Sequence, residues 1–289
     1  MHTYHFGNVS VTRVTEQRGP GFTPEALYPD WDPLALEQHH NLMVPDCFDP
    51  QLNRFIASIH TWVVKTPHHT ILVDSCAGNH KERPGMPRFH QQELPFLERL
   101  LDAGVTPESV DYVMCTHLHA DHCGWNTRLV DGRWVPTFPN AKYVFSRAEH
   151  AYWLDQIGQD SFNANVFEDS VLPVIERGQA QIVDNEGLIG DALLIHPTPG
   201  HSVGHLAIEL VHRASGALFS GDIMHQPLQV FRPEWNSCFC SHPQQARASR
   251  RWLLEQAAER GLTVFTSHFA NTSAGLVTEA NGQFDWRFI

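Results

Sequence analysis

Short apolar runs with the alternation or the β-branched composition typical of strands recur along the whole chain. Residues 8–15 and 55–65 show this pattern, and the run from Thr70 to Val73 predicts a short buried strand. Further strands are predicted at residues 110–116, 141–145, 180–184, 192–196, 205–211, 217–220 and 264–266. The strand content is therefore spread along the chain and is not confined to one half.

Helical periodicity appears between these strands. Leu94, Leu97 and Leu101 repeat at i, i+3 and i+7, which predicts a helix over residues 92–103 that stops at Gly104. A second helix is predicted to begin within residues 147–154. A third, longer helix is predicted over residues 243–259 and ends before Gly261. Two rounds of strands, each followed by a helix, indicate a mixed α/β chain.

Two segments follow neither period, namely residues 18–54, rich in Pro, Phe, Trp and His, and residues 155–178. We predict both to be irregular. They could cover a binding site as lids, or pack as ordinary surface chain. The sequence predicts a single domain over residues 1–289, and both segments belong to it.

Composition and charge narrow the classes of function. The chain has 20 basic and 32 acidic residues, and its net charge of −12 opposes binding to nucleic acid or to an anionic membrane. No run approaches 18 apolar residues, so no membrane-spanning helix is predicted. The start of the chain lacks the pattern of a signal peptide, and six cysteines in 289 residues do not suggest a disulfide scaffold. We therefore expect a cytoplasmic protein.

The most informative motif follows the strand predicted at 110–116. It is the run His117-Leu118-His119-Ala120-Asp121-His122, which places four imidazole or carboxylate side chains within six positions. Imidazole and carboxylate together suit Zn²⁺ and similar metals. This HxHxDH pattern resembles the signature of the metallo-β-lactamase superfamily.

Three later motifs extend the resemblance, each at the end of a predicted strand. They are Thr198-Pro199-Gly200-His201-Ser202, Phe219-Ser220-Gly221-Asp222 and Thr266-Ser267-His268. The resemblance implies a four-layer αβ/βα sandwich and two Zn²⁺ per chain, with Mn, Co and Fe left open. It also implies the ligand set: one metal held by His117, His119 and His201, the other by Asp121, His122 and His268, with Asp222 touching both.

The resemblance also suggests residues around the ligands. Asp74, at the end of its strand, is a candidate for orienting a ligand histidine. Many lactonases of the family place a tyrosine between the third histidine motif and the bridging Asp, but residues 202–221 contain none. His225 is a candidate replacement donor. Aromatic residues that could line a pocket, although core packing explains each as well, are Trp31, Phe48, Trp125, Phe231 and Trp235.

The chemistry implied by the resemblance is hydrolysis by a hydroxide that bridges two metals and attacks the carbonyl of a small lactone or ester. Asp121 would steer the proton between the hydroxide and the leaving alkoxide. No Gly-x-Ser-x-Gly motif is present, which disfavours a serine nucleophile.

The lactonase-like branch of the family, which includes N-acyl-homoserine lactonases, is the part that the chain resembles best. Little chain follows His268, so we expect no C-terminal helical domain of the kind found in glyoxalase II-type thioester hydrolases. Three alternatives stay open: hydrolysis of aryl phosphotriesters at the same site, a mononuclear iron dioxygenase for thiols or persulfides, and a metal-binding protein without turnover. A homodimer is also left open.

Overall fold

The computed structural model of the chain describes residues 2–159, 163–184, 187–212 and 216–289. It divides into two compact units. The first consists of Met1–Gln17 and Ile59–Ala192, and the second of Arg18–Ser58 and Leu193–Ile289. Each unit joins two separate stretches of chain, so no change of composition along the sequence marks a boundary between the units. For this reason the sequence alone predicts one domain.

Strands and helices alternate along the chain as the sequence predicts. The strands are β1 (Thr3–Phe6), β2 (Val9–Pro20), β3 (Phe48–Asp49), β4 (Arg54–Lys65), β5 (Thr70–Val73), β6 (Tyr112–Met114), β7 (Thr127–Val130), β8 (Arg133–Pro136), β9 (Lys142–Ser146), β10 (Ala180–Val183), β11 (Gly187–Ile189), β12 (Leu193–Pro197), β13 (Leu206–Leu210), β14 (Ala217–Phe219), β15 (Thr263–Phe265), β16 (Ala274–Ala280) and β17 (Gln283–Phe288).

The helices are α1 (Pro24–Leu27), α2 (Pro33–Gln38), α3 (His40–Met43), α4 (Phe96–Asp102), α5 (Ala120–Cys123), α6 (Arg147–Asp155), α7 (Ala164–Val166), α8 (Leu172–Glu176), α9 (Leu228–Phe231) and α10 (Pro243–Arg260). Single 3₁₀ turns cover Pro107–Ser109, Gly124–Asn126 and Gly221–Ile223, and a π-helical turn covers Phe167–Val171. Within the described ranges, no helix is long and apolar enough to cross a membrane.

The sheet of the first unit has the order β1-β2-β4-β5-β6-β9-β10. The pairs β5/β6, β6/β9 and β9/β10 are parallel. In a parallel sheet the carboxyl ends of neighbouring strands meet at one edge, where α/β proteins place their sites. Asp74 follows β5, the His117–His122 motif follows β6, and α6 follows β9, so all three meet at this edge.

The inner parallel strands β5, β6 and β9 are largely buried on both faces, which explains their apolar runs. Leu72, Val113 and Tyr143 are fully buried, and Phe96 and Leu100 of α4 belong to the same core cluster. The predicted helix at 92–103 starts later, at Phe96, because Pro95 occupies its N-cap and residues before a proline are disfavoured in the helical conformation.

The sheet of the second unit has the order β12-β13-β14-β15-β16-β17, with only β14/β15 parallel. Helix α10 buries Leu253, Leu254 and Ala257 in a core cluster with Leu218 of β14. The helix ends at Gly261, whose φ of +62° is a left-handed cap that suits glycine.

The two segments expected to be irregular contain short helices. Residues 18–54 form α1, α2, α3 and the two-residue strand β3. Residues 155–178 include α7, the π-helical turn and α8, while residues 160–162 lie outside the described part of the chain. Pro24 and Pro33 are the first residues of α1 and α2, and Pro173 is the second residue of α8. The backbone N–H that proline lacks is not needed in the first turn of a helix. The prolines of these two segments therefore wrongly indicated irregular chain where short helices form.

Candidate metal centre

The histidine motif of the first unit lies at the end of β6 and in the short helix α5. His117 and His122 are buried, and His119 is the N-cap of α5. Nε2 of His117 lies 2.9 Å from Nδ1 of His119, and the rings of His117 and His122 have centroids 4.0 Å apart. Three imidazoles of the predicted ligand set therefore cluster within this unit.

Asp74 lies beside this cluster, where the sequence places an orienting carboxylate. Its Oδ1 accepts a hydrogen bond from the Thr116 amide at 2.8 Å, and its Oδ2 accepts one from Nδ1 of His122 at 2.8 Å. The proton of His122 is thereby held on Nδ1, which is how a carboxylate fixes the tautomer of a metal-binding histidine. Asp121 is the more accessible acid, with a side chain that is 17% exposed.

The second unit gathers its predicted ligands around one buried carboxylate. Oδ2 of Asp222 lies 3.3 Å from Nε2 of His201 and 3.3 Å from Nε2 of His225, while Oδ1 lies 2.9 Å from Nε2 of His268. The sequence assigns His201, Asp222 and His268 as ligands and His225 only as a donor. The structure adds His225 to the group, since His201, Asp222 and His225 offer ligand atoms within 4.8 Å of one another.

Backbone and side-chain contacts position this group. The Asp222 amide donates to Nε2 of His205 at 2.9 Å, and Nδ1 of His205 lies 2.9 Å from Oγ1 of Thr198. His205 thus supports the turn of Asp222 and has a structural role. Nδ1 of His268 donates to the Ser58 carbonyl at 3.1 Å, which directs Nε2 toward Asp222.

Gly200 explains why the residue before His201 is small. Its φ is +135°, and a Cβ added there would lie 2.0 Å from the Ala246 amide nitrogen in the first turn of α10. The His242 amide donates to the Gly200 carbonyl at 2.8 Å. Only glycine allows His201 to sit this close to the start of α10.

His225 is held by a pair of residues that sequence reasoning missed. Oε1 of Gln229 accepts hydrogen bonds from the His225 amide at 2.6 Å and from the Tyr28 hydroxyl at 3.1 Å. Burial lowers the pKa of the His225 imidazole, and this outweighs the opposite influence of the Asp222 charge, so the ring is held neutral. Tyr28 and Gln229 lie 201 residues apart and belong to no recognised motif, so a single sequence gives no indication that they are paired.

The side chains present suit a transition metal. Imidazole nitrogens face each other at 2.9 Å in the first unit, and in the second unit three imidazoles surround one buried carboxylate. A cation satisfies such converging lone pairs, and the mixture of nitrogen and oxygen donors is the one that Zn²⁺ prefers. Thiolate ligation is disfavoured near the motif, because burial raises the pKa of Cys115 to about 12.

The aromatic residues suggested for a pocket take part in packing. Trp125 donates its indole N–H to Oε1 of Glu16 at 2.6 Å and stacks on Phe96. Trp31, Phe48 and Trp235 join one hydrophobic cluster of the second unit, and Phe231 stacks on His39. These contacts favour the core-packing interpretation of all five.

A comparison with protein families matches residues 57–268, more than half of the chain, to the model described as Metallo-beta-lactamase superfamily. Among curated proteins, the probable metallo-hydrolase YybB of Bacillus subtilis (strain 168) is 24% identical over 186 residues, which cover 62% of this chain and 70% of that protein.

Solved structures share the fold over the whole chain. The hydrolase AbOPH of the beta lactamase superfamily has a TM-score of 0.82 and 24% identity, covering 100% of this chain and 97% of that one. AidC, a dizinc quorum-quenching lactonase, has a TM-score of 0.76 and 18% identity, with coverage of 100% and 97%. The predicted fold class is thereby confirmed, and the named relatives are metallo-hydrolases, lactonases among them, which agrees with the predicted class of enzyme. The chain belongs to the metallo-beta-lactamase superfamily.

Proposed function

We propose that this protein is a dinuclear-metal hydrolase that opens a small lactone or ester. The observation that carries the proposal is the buried Asp222 carboxylate with three imidazole nitrogens within 3.3 Å. A carboxylate in this setting suits a bridging ligand, because each of its oxygens faces a different set of nitrogens. Family membership and the HxHxDH motif add independent support.

The proposed ligands are the seven residues of the sequence motifs. One metal would be held by His117, His119 and His201, the other by Asp121, His122 and His268, with Asp222 shared. We propose Zn²⁺ because nitrogen and carboxylate ligands suit it, and because AidC, which has the same fold, is described as a dizinc enzyme. Zinc at this site would supply the Lewis acidity that makes water nucleophilic near neutral pH and polarises a carbonyl.

Asp121 is the proposed proton carrier. Its side chain is 17% exposed, against 4% for Asp74 and 5% for Asp222, and its Oδ1 lies 3.7 Å from Nε2 of His122. A carboxylate at this place can accept the proton of the attacking water and return it to the leaving alkoxide. No covalent attachment of the substrate to the chain is required.

His225 is the proposed donor to the substrate in place of the lactonase tyrosine. Its ring is kept neutral by burial, and its Nδ1 makes no hydrogen bond within the part of the chain that the structure describes. A neutral imidazole offers one N–H. Directed at the oxygen that gains negative charge, this donor would stabilise the transition state more than the ground state.

An uncharged substrate fits the chain as a whole. The net charge of −12 disfavours strongly anionic substrates. All six cysteines are free, four of them buried, which supports a reducing compartment such as the cytoplasm. A homodimer is compatible with this proposal but is not needed for it.

The test is acid release in a pH-stat with N-hexanoyl-homoserine lactone, run on the wild type and on Asp222→Ala. We expect release from the wild type and a loss of at least ~10³-fold in Asp222→Ala, because that variant removes the shared ligand. Asp285→Ala, which changes an exposed carboxylate of β17, is the matched control and should keep wild-type activity.

Two other outcomes would redirect the proposal. Hydrolysis of an aryl phosphotriester without acid release from any lactone would indicate that the protein is a phosphotriester hydrolase. Oxygen uptake with a thiol or persulfide by an iron-loaded protein, without hydrolysis, would overturn the hydrolase proposal.

A further inference from the structure

We infer that Glu149 and Asn163 are positioning residues that fix the two peptide groups flanking Leu118, the residue between the proposed ligands His117 and His119. The inference rests on the proposed metal-binding role of those two histidines. Neither Glu149 nor Asn163 belongs to a motif of the sequence. Both act on the backbone of the ligand loop, and neither is proposed to touch metal or substrate.

Leu118 is held from both sides of its backbone. Its amide donates to Oε2 of Glu149 at 3.1 Å, and its carbonyl accepts a hydrogen bond from Nδ2 of Asn163 at 2.8 Å. All three residues are at most 1% exposed. Buried backbone groups must be paired, and here the partners are side chains and not a regular ladder. The Leu118 backbone is therefore fixed at both its N–H and its C=O.

The sheet topology brings Glu149 to this position. Strands β6 and β9 are parallel, so the chain leaves both strands at the same edge, β6 into the ligand loop and β9 into α6. Ser146 caps α6 by accepting a hydrogen bond from the Glu149 amide at 3.1 Å. Glu149 thus lies in the first turn of α6, where a carboxylate is also favoured by the helix dipole.

A tryptophan links the same carboxylate to a proposed ligand. Trp153, one turn after Glu149, donates its indole N–H to Oε2 of Glu149 at 3.0 Å. The ring of His119 makes an edge contact with the Trp153 ring, with centroids 5.8 Å apart. Glu149 therefore fixes the backbone before His119 and also orients the Trp153 ring against the His119 ring.

This arrangement has a consequence for metal affinity. The Leu118 N–H belongs to the peptide group shared with His117, and its C=O belongs to the one shared with His119. Rotation of either peptide group would turn the neighbouring histidine away from a shared metal. Residues that orient ligands from outside the ligand set commonly change metal affinity by 10- to 100-fold when they are removed. Loss of either contact to Leu118 should act in the same direction.

The test is zinc affinity, measured by competition with a chromophoric chelator, for the wild type, Glu149→Leu, Glu149→Gln and Asn163→Ala. We expect Glu149→Leu and Asn163→Ala to bind zinc roughly 10- to 100-fold more weakly. Glu149→Gln keeps an oxygen that can accept from the Leu118 amide, and it should stay within about threefold of the wild type. The visible spectrum of the cobalt-loaded protein should change in Glu149→Leu and Asn163→Ala but not in Glu149→Gln.

A stability control separates positioning from general damage. Nε2 of Gln179 donates to the carbonyls of Phe138, Pro139 and Ala141 in the same unit, none of which is a proposed ligand. Gln179→Ala should lower the melting temperature and leave zinc affinity unchanged. If Glu149→Leu does not fold, Asn163→Ala alone decides the question.

Wild-type zinc affinity in Asn163→Ala and in folded Glu149→Leu would overturn the inference, as would equal losses in Gln179→Ala. Zinc affinity is measured without a substrate, so failure of the proposed function is recognised separately. A wild type that binds zinc but hydrolyses no lactone would contradict that function and leave the positioning role standing.

Discussion

At the scale of single residues, three of the proposed ligand histidines, His117, His122 and His268, have Nδ1 occupied by a defined partner. Nδ1 of His122 donates to Asp74, and Nδ1 of His268 donates to the Ser58 carbonyl. Nδ1 of His117 lies 3.1 Å from Oγ1 of Thr116. Such contacts fix the tautomer and the ring plane, so Nε2 is the nitrogen offered to a metal.

Within the described part of the chain, Nδ1 of His225 makes no hydrogen bond, so this nitrogen is available to donate to a substrate. We predict that His225→Ala lowers kcat for lactone hydrolysis by about 10²-fold, the usual cost of removing one donor to a developing oxyanion. The metal content of the variant should equal that of the wild type. Steady-state kinetics and elemental analysis of the same preparation check both statements.

The control for His225→Ala is His40→Ala, which removes an exposed histidine of the same unit and should change neither quantity. A loss of one metal from His225→Ala would instead make His225 a ligand, in agreement with its place beside His201 and Asp222. Unchanged kcat with full metal content would exclude both roles.

At the scale of secondary-structure elements, a buried ion network ties the π-helical turn at Phe167–Val171 to the chain after β5. Arg83 contacts the Asp169 carboxylate through two nitrogens at 2.6 and 2.8 Å, and Nζ of Lys81 lies 3.4 Å from Oδ1. Burial lowers the pKa of Lys81 to about 8 despite the Asp169 charge, which shows how strongly the site disfavours an unpaired cation.

We predict that Asp169→Asn lowers the free energy of unfolding by about 3–5 kcal/mol, because it leaves buried cations without a counter-charge. Urea denaturation at pH 7 measures the change. Asp184→Asn breaks an ion pair with Arg147 that is exposed on both sides, and it should leave stability near that of the wild type. Similar stabilities for Asp169→Asn and the wild type would show that the network contributes little.

The sequence predicted the buried strands and long helices well, and the hairpins poorly. Thr70–Val73 was found with its predicted bounds, because a short apolar run between polar residues leaves little choice of register. The β7–β8 and β16–β17 hairpins were not predicted, although Asp131-Gly132 and Asn281-Gly282 join them with positive φ at both positions. Asp-Gly and Asn-Gly are strong hairpin signals, so the information was present in the sequence.

The candidate site was only partly predictable for a physical reason. His117, His119, Asp121 and His122 are close in sequence, so their spacing alone indicates a metal. Glu149 and Asn163 act through hydrogen bonds to backbone groups 31 and 45 residues away along the chain. Gln229 accepts from the nearby His225 amide and from the Tyr28 hydroxyl, 201 residues away. Their side chains are common ones, and only the folded backbone shows what they contact.

At the scale of the whole molecule, the proposed ligands divide between the two compact units. His117, His119, Asp121 and His122 belong to the first, and His201, Asp222 and His268 belong to the second. Neither unit alone contains the complete proposed set. The family match, which runs from residue 57 to residue 268, likewise spans stretches of both units.

The most direct test of the account is the number of metals per chain, measured together with lactone hydrolysis as metal is removed and returned. We predict two zinc ions per chain, loss of hydrolysis on chelation, and recovery on addition of zinc to two equivalents. Full activity of the metal-free protein, or saturation of activity at a single iron, would contradict the proposed dinuclear hydrolase.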